Sequence, residues 1–132
     1  MTHFLVLYPL NEREQLSKQI IRLYYSYYFM IDGDYGIFAQ IAQPDGKCFI
    51  RDLNGKPIVR TRPLPDNVFL QLHDDGDIRK TRNNVWEKEM VYAYAEEFKK
   101  IKTSEKTSPK NRAILAYLRE LDSDIPVILD WH

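Results

Sequence analysis

The sequence has little of the chemistry that disulfides, metal centres and membrane spans require. It contains one cysteine, Cys48, and three histidines, which excludes an intrachain disulfide and leaves no cluster at the ligand spacing of a zinc site. A lone cysteine is typical of a reducing compartment. The first residues lack the basic start and apolar core of a secretory signal, and no apolar run reaches membrane-spanning length. We therefore expect a soluble cytoplasmic protein with no membrane contact and no metal or other cofactor.

An excess of one charge is also absent. Lysine plus arginine and aspartate plus glutamate number 19 each, so the formal net charge is zero. The molecule as a whole therefore lacks the positive field of a general nucleic-acid binder, and such binding needs a local basic patch. Glycine-rich phosphate loops and the GxSxG and HExxH motifs are missing too. These absences favour a non-enzymatic role.

What the sequence does have is enough apolar material for a core. Its 132 residues are 44% hydrophobic, which fits a single domain spanning residues 1–132. The run "THFLVLYPL" predicts a strand that ends at Pro9. Asn11 and Glu14 have the spacing of a capping box and predict a helix from Asn11 to about Phe29. Its buried face would carry Leu16, Ile20, Leu23, Tyr24 and Tyr27.

Turn signals punctuate the region from Gly36 to Arg82. They are Pro44-Asp45-Gly46, Asn54-Gly55 and Asp75-Gly76, and the Asn-Gly and Asp-Gly pairs tolerate the positive φ angles of tight hairpins. The segments between them predict an antiparallel β-meander of about five strands: "GIFAQIAQ", "KCFIRDL", "KPIVRTR", "NVFLQLHD" and "DIRKTR". Pro57 indicates that its strand lies at an edge or starts late.

The last third of the chain has the pattern of helices. Asn84 and Glu87 repeat the capping-box spacing and predict a helix through "NNVWEKEMVYAYAEEFKKIK". Its apolar face would contain Trp86, Met90, Ala93, Tyr94, Phe98 and Ile101. Ser108-Pro109 opens a further helix that buries Ile114, Leu118 and Leu121. The final "SDIPVILDWH" predicts a strand that pairs with the first one.

The predicted fold class is therefore α+β. It has an N-terminal strand and helix, an antiparallel β-meander of about five strands, two C-terminal helices and a terminal strand.

Several polar residues are candidate sites, each with a structural alternative. His73, Asp75 and Asp77 can supply metal ligands, but a hairpin already explains the glycine and the acids beside them. The segment from Asp32 to Gly36 lacks the spacing of an EF-hand and fits a helix stop. Glu97 lies within an apolar stripe, so it is either paired or an acid–base group with a raised pKa. Cys48 is typical of a small core residue rather than a nucleophile.

Two surface features indicate different functions. The first is a basic patch around the connection between the last two helices: Lys99, Lys100, Lys102, Lys106, Lys110 and Arg112, with Arg60, Arg62, Arg79, Lys80 and Arg82 as a possible extension. It is either a solvated face or a phosphate-binding surface. The second is a ridge on the predicted N-terminal helix, formed by Ile21, Tyr25 and Tyr28. It is either buried by the sheet or a contact surface, since tyrosines are enriched in interfaces.

The leading hypothesis is a non-enzymatic protein-binding module, such as a small inhibitor, immunity or adaptor protein, which binds a protein partner or a second copy through the ridge. The alternative is a nucleic-acid-binding accessory protein that uses the basic patch. A small metal-dependent hydrolase or nuclease that uses His73 and the neighbouring aspartates is the third hypothesis.

Overall fold

The computed structural model describes residues 3–23, 27–50, 53, 55–74 and 76–132. In these ranges the strands are β1 (Phe4–Pro9), β2 (Ile20–Arg22), β3 (Phe29–Asp32), β4 (Ile41–Ala42), β5 (Val59–Arg60), β6 (Arg62–Pro63), β7 (Phe69–Asp74), β8 (Asp77–Thr81), β9 (Val91–Tyr94) and β10 (Pro126–Trp131). The helices are α1 (Tyr35–Phe38), α2 (Ala95–Phe98) and α3 (Pro109–Glu120), and a 3-10 helix spans Arg13–Ser17. The predicted α+β class is confirmed.

A five-stranded sheet organises these elements, in the order β3-β1-β10-β9-β6. Every neighbouring pair in it is antiparallel. The first and last strands pair along their lengths, with Leu7 opposite Leu129, as the sequence predicted. All six residues of β10 are buried, because β10 lies at the centre of the sheet with packed layers on both of its faces.

Each face of the sheet contributes to its own hydrophobic core. The first core contains Leu7 and Leu129 of the sheet and is covered by α3. The second core contains Ile128, and it is covered by a smaller sheet in the order β2-β7-β8. Side chains that alternate along β10 therefore enter opposite cores, as the two-residue period of a strand requires.

Helix α3 confirms the prediction for its segment. The Ser108 hydroxyl accepts a hydrogen bond from the Asn111 amide at 3.1 Å, and Pro109 occupies the first turn, where its missing N–H costs nothing. Ile114 and Leu118 are buried in the first core, and the helix packs against β3. None of the helices in the described ranges is long and apolar enough to span a bilayer.

The predicted meander is correct only in its last two strands. Strands β7 and β8 form the expected antiparallel hairpin, with Gly76 at φ +85°. The segment "GIFAQIAQ" instead contains most of α1 and the two residues of β4, which pair in parallel with β5. Strand β5 begins after Pro57, at Val59, as that proline indicated. The segment from Lys47 contributes an isolated bridge between Cys48 and Ala42.

The predicted helix from Asn11 to Phe29 is wrong. A capping box forms one residue later than predicted, between Glu12 and Gln15, and it belongs to a single 3-10 turn. The Gln15 side chain accepts hydrogen bonds from the Asn11 and Glu12 amides at 2.6 and 3.0 Å. The β-branched pair that follows forms β2, which lies parallel to β7 with Ile21 opposite Leu70. Strand pairing and burial thus override the helical spacing.

The predicted helix from Asn84 is also wrong over most of its length. The Asn84 side chain accepts hydrogen bonds from the amides of Trp86 and Lys88 at 2.9 and 3.1 Å, so it closes a turn rather than capping a helix. The following residues enter β9, and the helix is limited to the four residues of α2. Trp86, predicted to be core, is exposed.

Candidate functional site

Exposed aromatic residues gather where the chain enters β3, which lies at one edge of the five-stranded sheet that the described residues form. Tyr27 and Tyr28 are 80% and 61% exposed. The Tyr28 ring lies 5.8 Å from the ring of Tyr8, on the side of the second core. The next residue, Phe29, lies against Tyr117 of α3, with 4.6 Å between ring centroids. Alternation along the strand thus distributes aromatic rings to both sides of the edge.

A groove beside this edge separates the end of β1 from the end of α3. Its volume is about 340 Å³. We call it the tyrosine groove. It is lined by Pro9, Leu10, Asn11, Tyr27, Tyr117, Glu120, Leu121, Asp122 and Ile125.

The groove has an apolar base and a polar rim. Leu10 and Ile125 are buried, whereas Tyr117 is 42% exposed and Glu120 is exposed. Backbone hydrogen bonds fix the base, because the Leu10 amide donates to the Pro126 carbonyl at 2.9 Å and the Ile125 amide donates to the Asp122 carbonyl at 3.1 Å. Such a site offers aromatic contact area beside acidic residues.

The structure changes the ridge that the sequence predicted. Ile21 is buried in the second core, so its assignment to a protein-binding surface is wrong. Tyr25, like Tyr24, lies outside the described residues. Tyr28 is exposed, in agreement with that part of the hypothesis, although it precedes a strand rather than lying on a helix. Tyr27, predicted to be core, is the most exposed of these aromatic residues.

Tyr117 was not anticipated from the sequence. The sequence contains one signal for Tyr117, which is its position on the polar face of α3. Its neighbours in the sequence are an exposed alanine and Leu118, and Arg119 and Glu120 follow in the same turn. A large aromatic residue on the solvent side of an amphipathic helix indicates a contact surface.

The predicted basic patch is divided by internal contacts. Lys99 donates to the Ser123 hydroxyl at 3.1 Å, and Lys110 forms an ion pair with Asp32. Arg112 donates to the Thr103 hydroxyl and the Thr107 carbonyl at 3.1 and 3.3 Å, and also to the Ser104 carbonyl, so it holds the loop before α3. Lys100, Lys102 and Lys106 are exposed, and so are Lys110 and Arg112.

The residues proposed to extend that patch also have structural contacts. Arg82 donates to the Pro65 carbonyl at 3.0 Å and to Glu89 at 3.3 Å. The Lys80 ammonium lies over the Phe69 ring, 4.6 Å from its centroid. These contacts anchor the loop before β7 and the outer face of the hairpin. Arg82 and Lys80 thus have structural contacts within this region, whereas Arg62 donates to Glu97 of α2.

The histidine and aspartates of the hairpin do not converge. His73 is opposite Ile78 and Asp77 is opposite Asp74. Neighbouring cross-strand pairs project from opposite faces, so His73 and Asp77 point away from each other. Asp75 lies outside the described residues. Within the described part of the chain, no three His, Cys, Asp or Glu side chains are grouped to hold a metal ion.

Glu97 is paired, which was one of the two alternatives. Its carboxylate accepts hydrogen bonds from the Arg62 guanidinium at 2.7 Å, the Tyr94 amide at 3.1 Å and the Arg60 amide at 3.3 Å. The hydrogen bond to Glu97 raises the pKa of Arg62. The guanidinium also lies 5.0 Å from the centroid of the Tyr94 ring.

Cys48 and Asp130 are the remaining groups with distinctive chemistry. The half-buried Cys48 thiol lies 3.6 Å from the Ala39 carbonyl, and burial raises its pKa. Asp130 is buried, and one carboxylate oxygen lies 3.1 Å from the His132 ring nitrogen Nε2. The His132 ring stacks on Phe4 at 4.9 Å. Asp130 is thus part of the packing of β10, whereas Cys48 lies outside the strands, in its bridge to Ala42.

Among these groups, the tyrosine groove combines exposed aromatic rings with a defined cleft. No protein-family model, curated protein or solved structure matches the chain.

Proposed function

We propose that the chain is a non-enzymatic protein-binding module, of the kind found among small inhibitor, immunity and adaptor proteins, and that it binds through the tyrosine groove and the adjoining Tyr28. The observation that carries the proposal is the group of exposed rings of Tyr27, Tyr28 and Tyr117 around one groove. A cytoplasmic location, predicted from the lone cysteine, belongs to the same proposal.

Exposed tyrosines at one sheet edge support an interface on energetic grounds. A tyrosine side chain supplies a large contact area at a low entropy cost, and tyrosine is enriched among the residues that dominate binding free energy. The groove, at about 340 Å³, lies near the lower end of the range for small-molecule sites. It therefore suits one or two side chains of a protein partner better than an extended substrate.

The experiment compares affinity capture by the wild-type chain and by Tyr27→Ala/Tyr28→Ala from the native host. We expect a captured protein that the double variant loses. Once that partner is purified, calorimetry should show binding weakened by about 2 kcal/mol or more, roughly thirtyfold. Sedimentation velocity over a concentration series tests the homodimer, which is the other form of the proposal.

A matched control separates contact loss from unfolding. Ile78→Ala removes an exposed apolar side chain from β8, in the smaller sheet, and should leave capture unchanged. Both variants should keep their free energy of unfolding within about 0.5 kcal/mol of wild type, as surface substitutions do. A large fall in the unfolding midpoint of the tyrosine variant, with association unchanged, would show that these rings are structural and would contradict the proposal.

A further inference from the structure

We infer that the tyrosine groove recognises an arginine side chain of the partner protein. The inference rests on the proposed protein-binding function and specifies the chemistry of the partner. It follows from the charge of the groove, from its aromatic rings and from a second place in the same chain where these groups hold an arginine.

Two features of the groove favour a cation. The groove lies at the C-terminal end of α3, a twelve-residue helix that ends at Glu120. The last carbonyl groups of such a helix carry a partial negative charge, which favours a cation. Two acidic residues, Glu120 and Asp122, line the groove as well. The basic residue of the last turn, Arg119, donates to the Ile101 carbonyl at 3.1 Å, away from the groove.

The remaining lining suits the other parts of an arginine. The exposed side chains of Tyr27 and Tyr117 line the groove. The face of an aromatic ring attracts a cation, and a guanidinium stacks on such a face while donating to a carboxylate. The apolar base formed by Leu10 and Ile125 fits the methylene groups that lead to the guanidinium. A lysine ammonium is a compact, strongly hydrated charge without the planar fork, so arginine fits this lining better.

The chain already holds one of its own arginines with the same pair of groups. Arg62 lies over the Tyr94 ring and donates to Glu97 at 2.7 Å. Tyr94 ends β9 and Glu97 lies in α2, so these two groups meet at a strand–helix junction, whereas Tyr117 and Glu120 both lie on α3. On a helix, side chains three residues apart are neighbours on the surface. We therefore assign to Tyr117 and Glu120 the role toward a partner's arginine that Tyr94 and Glu97 have toward Arg62.

The test uses defined peptides and the full chain. Backbone amide NMR signals are followed while acetyl-Gly-Arg-Gly-amide is added, and the titration is repeated with citrulline in place of arginine, which has the same shape without the charge. We expect the arginine peptide to shift the signals of Glu120, Leu121 and Asp122 and to bind about tenfold more tightly than the citrulline peptide. The corresponding lysine peptide should bind more weakly than the arginine peptide.

Two conservative variants identify the carboxylate. Glu120→Gln should weaken binding of the arginine peptide about tenfold, whereas Glu105→Gln, an exposed glutamate in the loop before α3, should leave it unchanged. Equal binding of the arginine and citrulline peptides overturns the inference. So does the absence of shifts around the groove at millimolar peptide.

These outcomes differ from failure of the proposed function. If Tyr27→Ala/Tyr28→Ala loses a captured partner while the peptides show no preference for charge, the groove is an interface without arginine recognition. If capture and self-association are both unaffected by that variant, the protein-binding proposal itself is wrong.

Discussion

Replacement of Glu97 by alanine should destabilise the fold, because this one carboxylate joins three strands to α2. It accepts hydrogen bonds from the backbone of β5 and β9, at Arg60 and Tyr94, and from the side chain of Arg62 in β6. The Glu97 side chain is 14% exposed. Removal of the carboxylate leaves the Tyr94 amide, in a partly buried position, without this acceptor.

The expected loss is about 3 kcal/mol in the free energy of unfolding. A hydrogen bond to a charged group contributes roughly 1.5–3 kcal/mol when it is protected from water. The contribution of Arg62 must be reduced to about 1 kcal/mol or less, because its side chain is 42% exposed and exposed ion pairs are screened. The two amides contribute the remaining part, about 1 kcal/mol each.

Urea unfolding followed by far-ultraviolet circular dichroism measures this loss. Glu97→Gln keeps an oxygen acceptor but removes the charge, so we expect it to lose about half as much. Glu96→Ala is the matched control, since Glu96 is exposed and adjacent in the same turn, and it should change stability by about 0.5 kcal/mol at most. If Glu97→Ala and Glu96→Ala are equally stable, the carboxylate does not hold these strands together and the reasoning is refuted.

Three further predictions follow from other parts of the structure. Burial raises the pKa of Tyr8, and the Asp130 carboxylate and Tyr28 raise it further. As pH rises, the unfolded chain therefore loses the Tyr8 hydroxyl proton before the folded chain does. The stabilisation should be fully present below pH about 10, and the free energy of unfolding should fall as pH rises above it. Urea unfolding up to pH about 11 should show a smaller fall for Tyr8→Phe than for wild type. Because burial raises the pKa of Cys48, its thiol should react several-fold more slowly with a disulfide reagent at pH about 8 in the native chain than in urea; equal rates would contradict this. Nucleic-acid binding, measured by fluorescence anisotropy, should be weak and salt-sensitive. Tight binding at physiological salt would instead favour the nucleic-acid hypothesis if Lys100→Ala/Lys102→Ala/Lys106→Ala abolishes it.

The sequence predicted correctly those parts of the fold that a few neighbouring residues determine. Ser108 and Pro109 start α3 and an apolar face follows at helical spacing, so neighbouring turns determine the helix. Gly76 at the tip of the β7–β8 hairpin similarly provides a conformation that the turn requires. Both signals act locally and agree with the packing around them.

The errors arose where a local signal had more than one solution. A capping side chain satisfies free amides equally well in one 3-10 turn, as Gln15 does, or in a side-chain turn, as Asn84 does. Whether the chain then continues as a helix depends on distant partners. Ile21 is held in β2 by its pairing with Leu70 of β7, a contact that the spacing of nearby apolar residues does not reveal.

The sequence did not predict the residues that line the candidate site. The sequence left open whether Tyr28 is buried or exposed, and its helical spacing placed Tyr28 beside Ile21. In the structure Ile21 is buried, and the exposed Tyr28 lies near Tyr8 at the sheet edge. Tyr27 and Tyr117 both line the groove, although they belong to segments far apart in the sequence. Such a site depends on tertiary structure and leaves only a weak signal at Tyr117.

The charge distribution explains why recognition at this site should act at short range. With a net charge of zero, the molecule has no long-range field to steer an oppositely charged partner. Several cations are held by the chain's own carboxylates, including Arg62 by Glu97 and Lys110 by Asp32. At the end of α3, by contrast, the helix dipole and Glu120 add charge of the same sign beside two exposed rings. Under the proposed function, groups within contact distance would provide specificity, and we expect added salt to affect the dissociation rate of a partner more than its association rate.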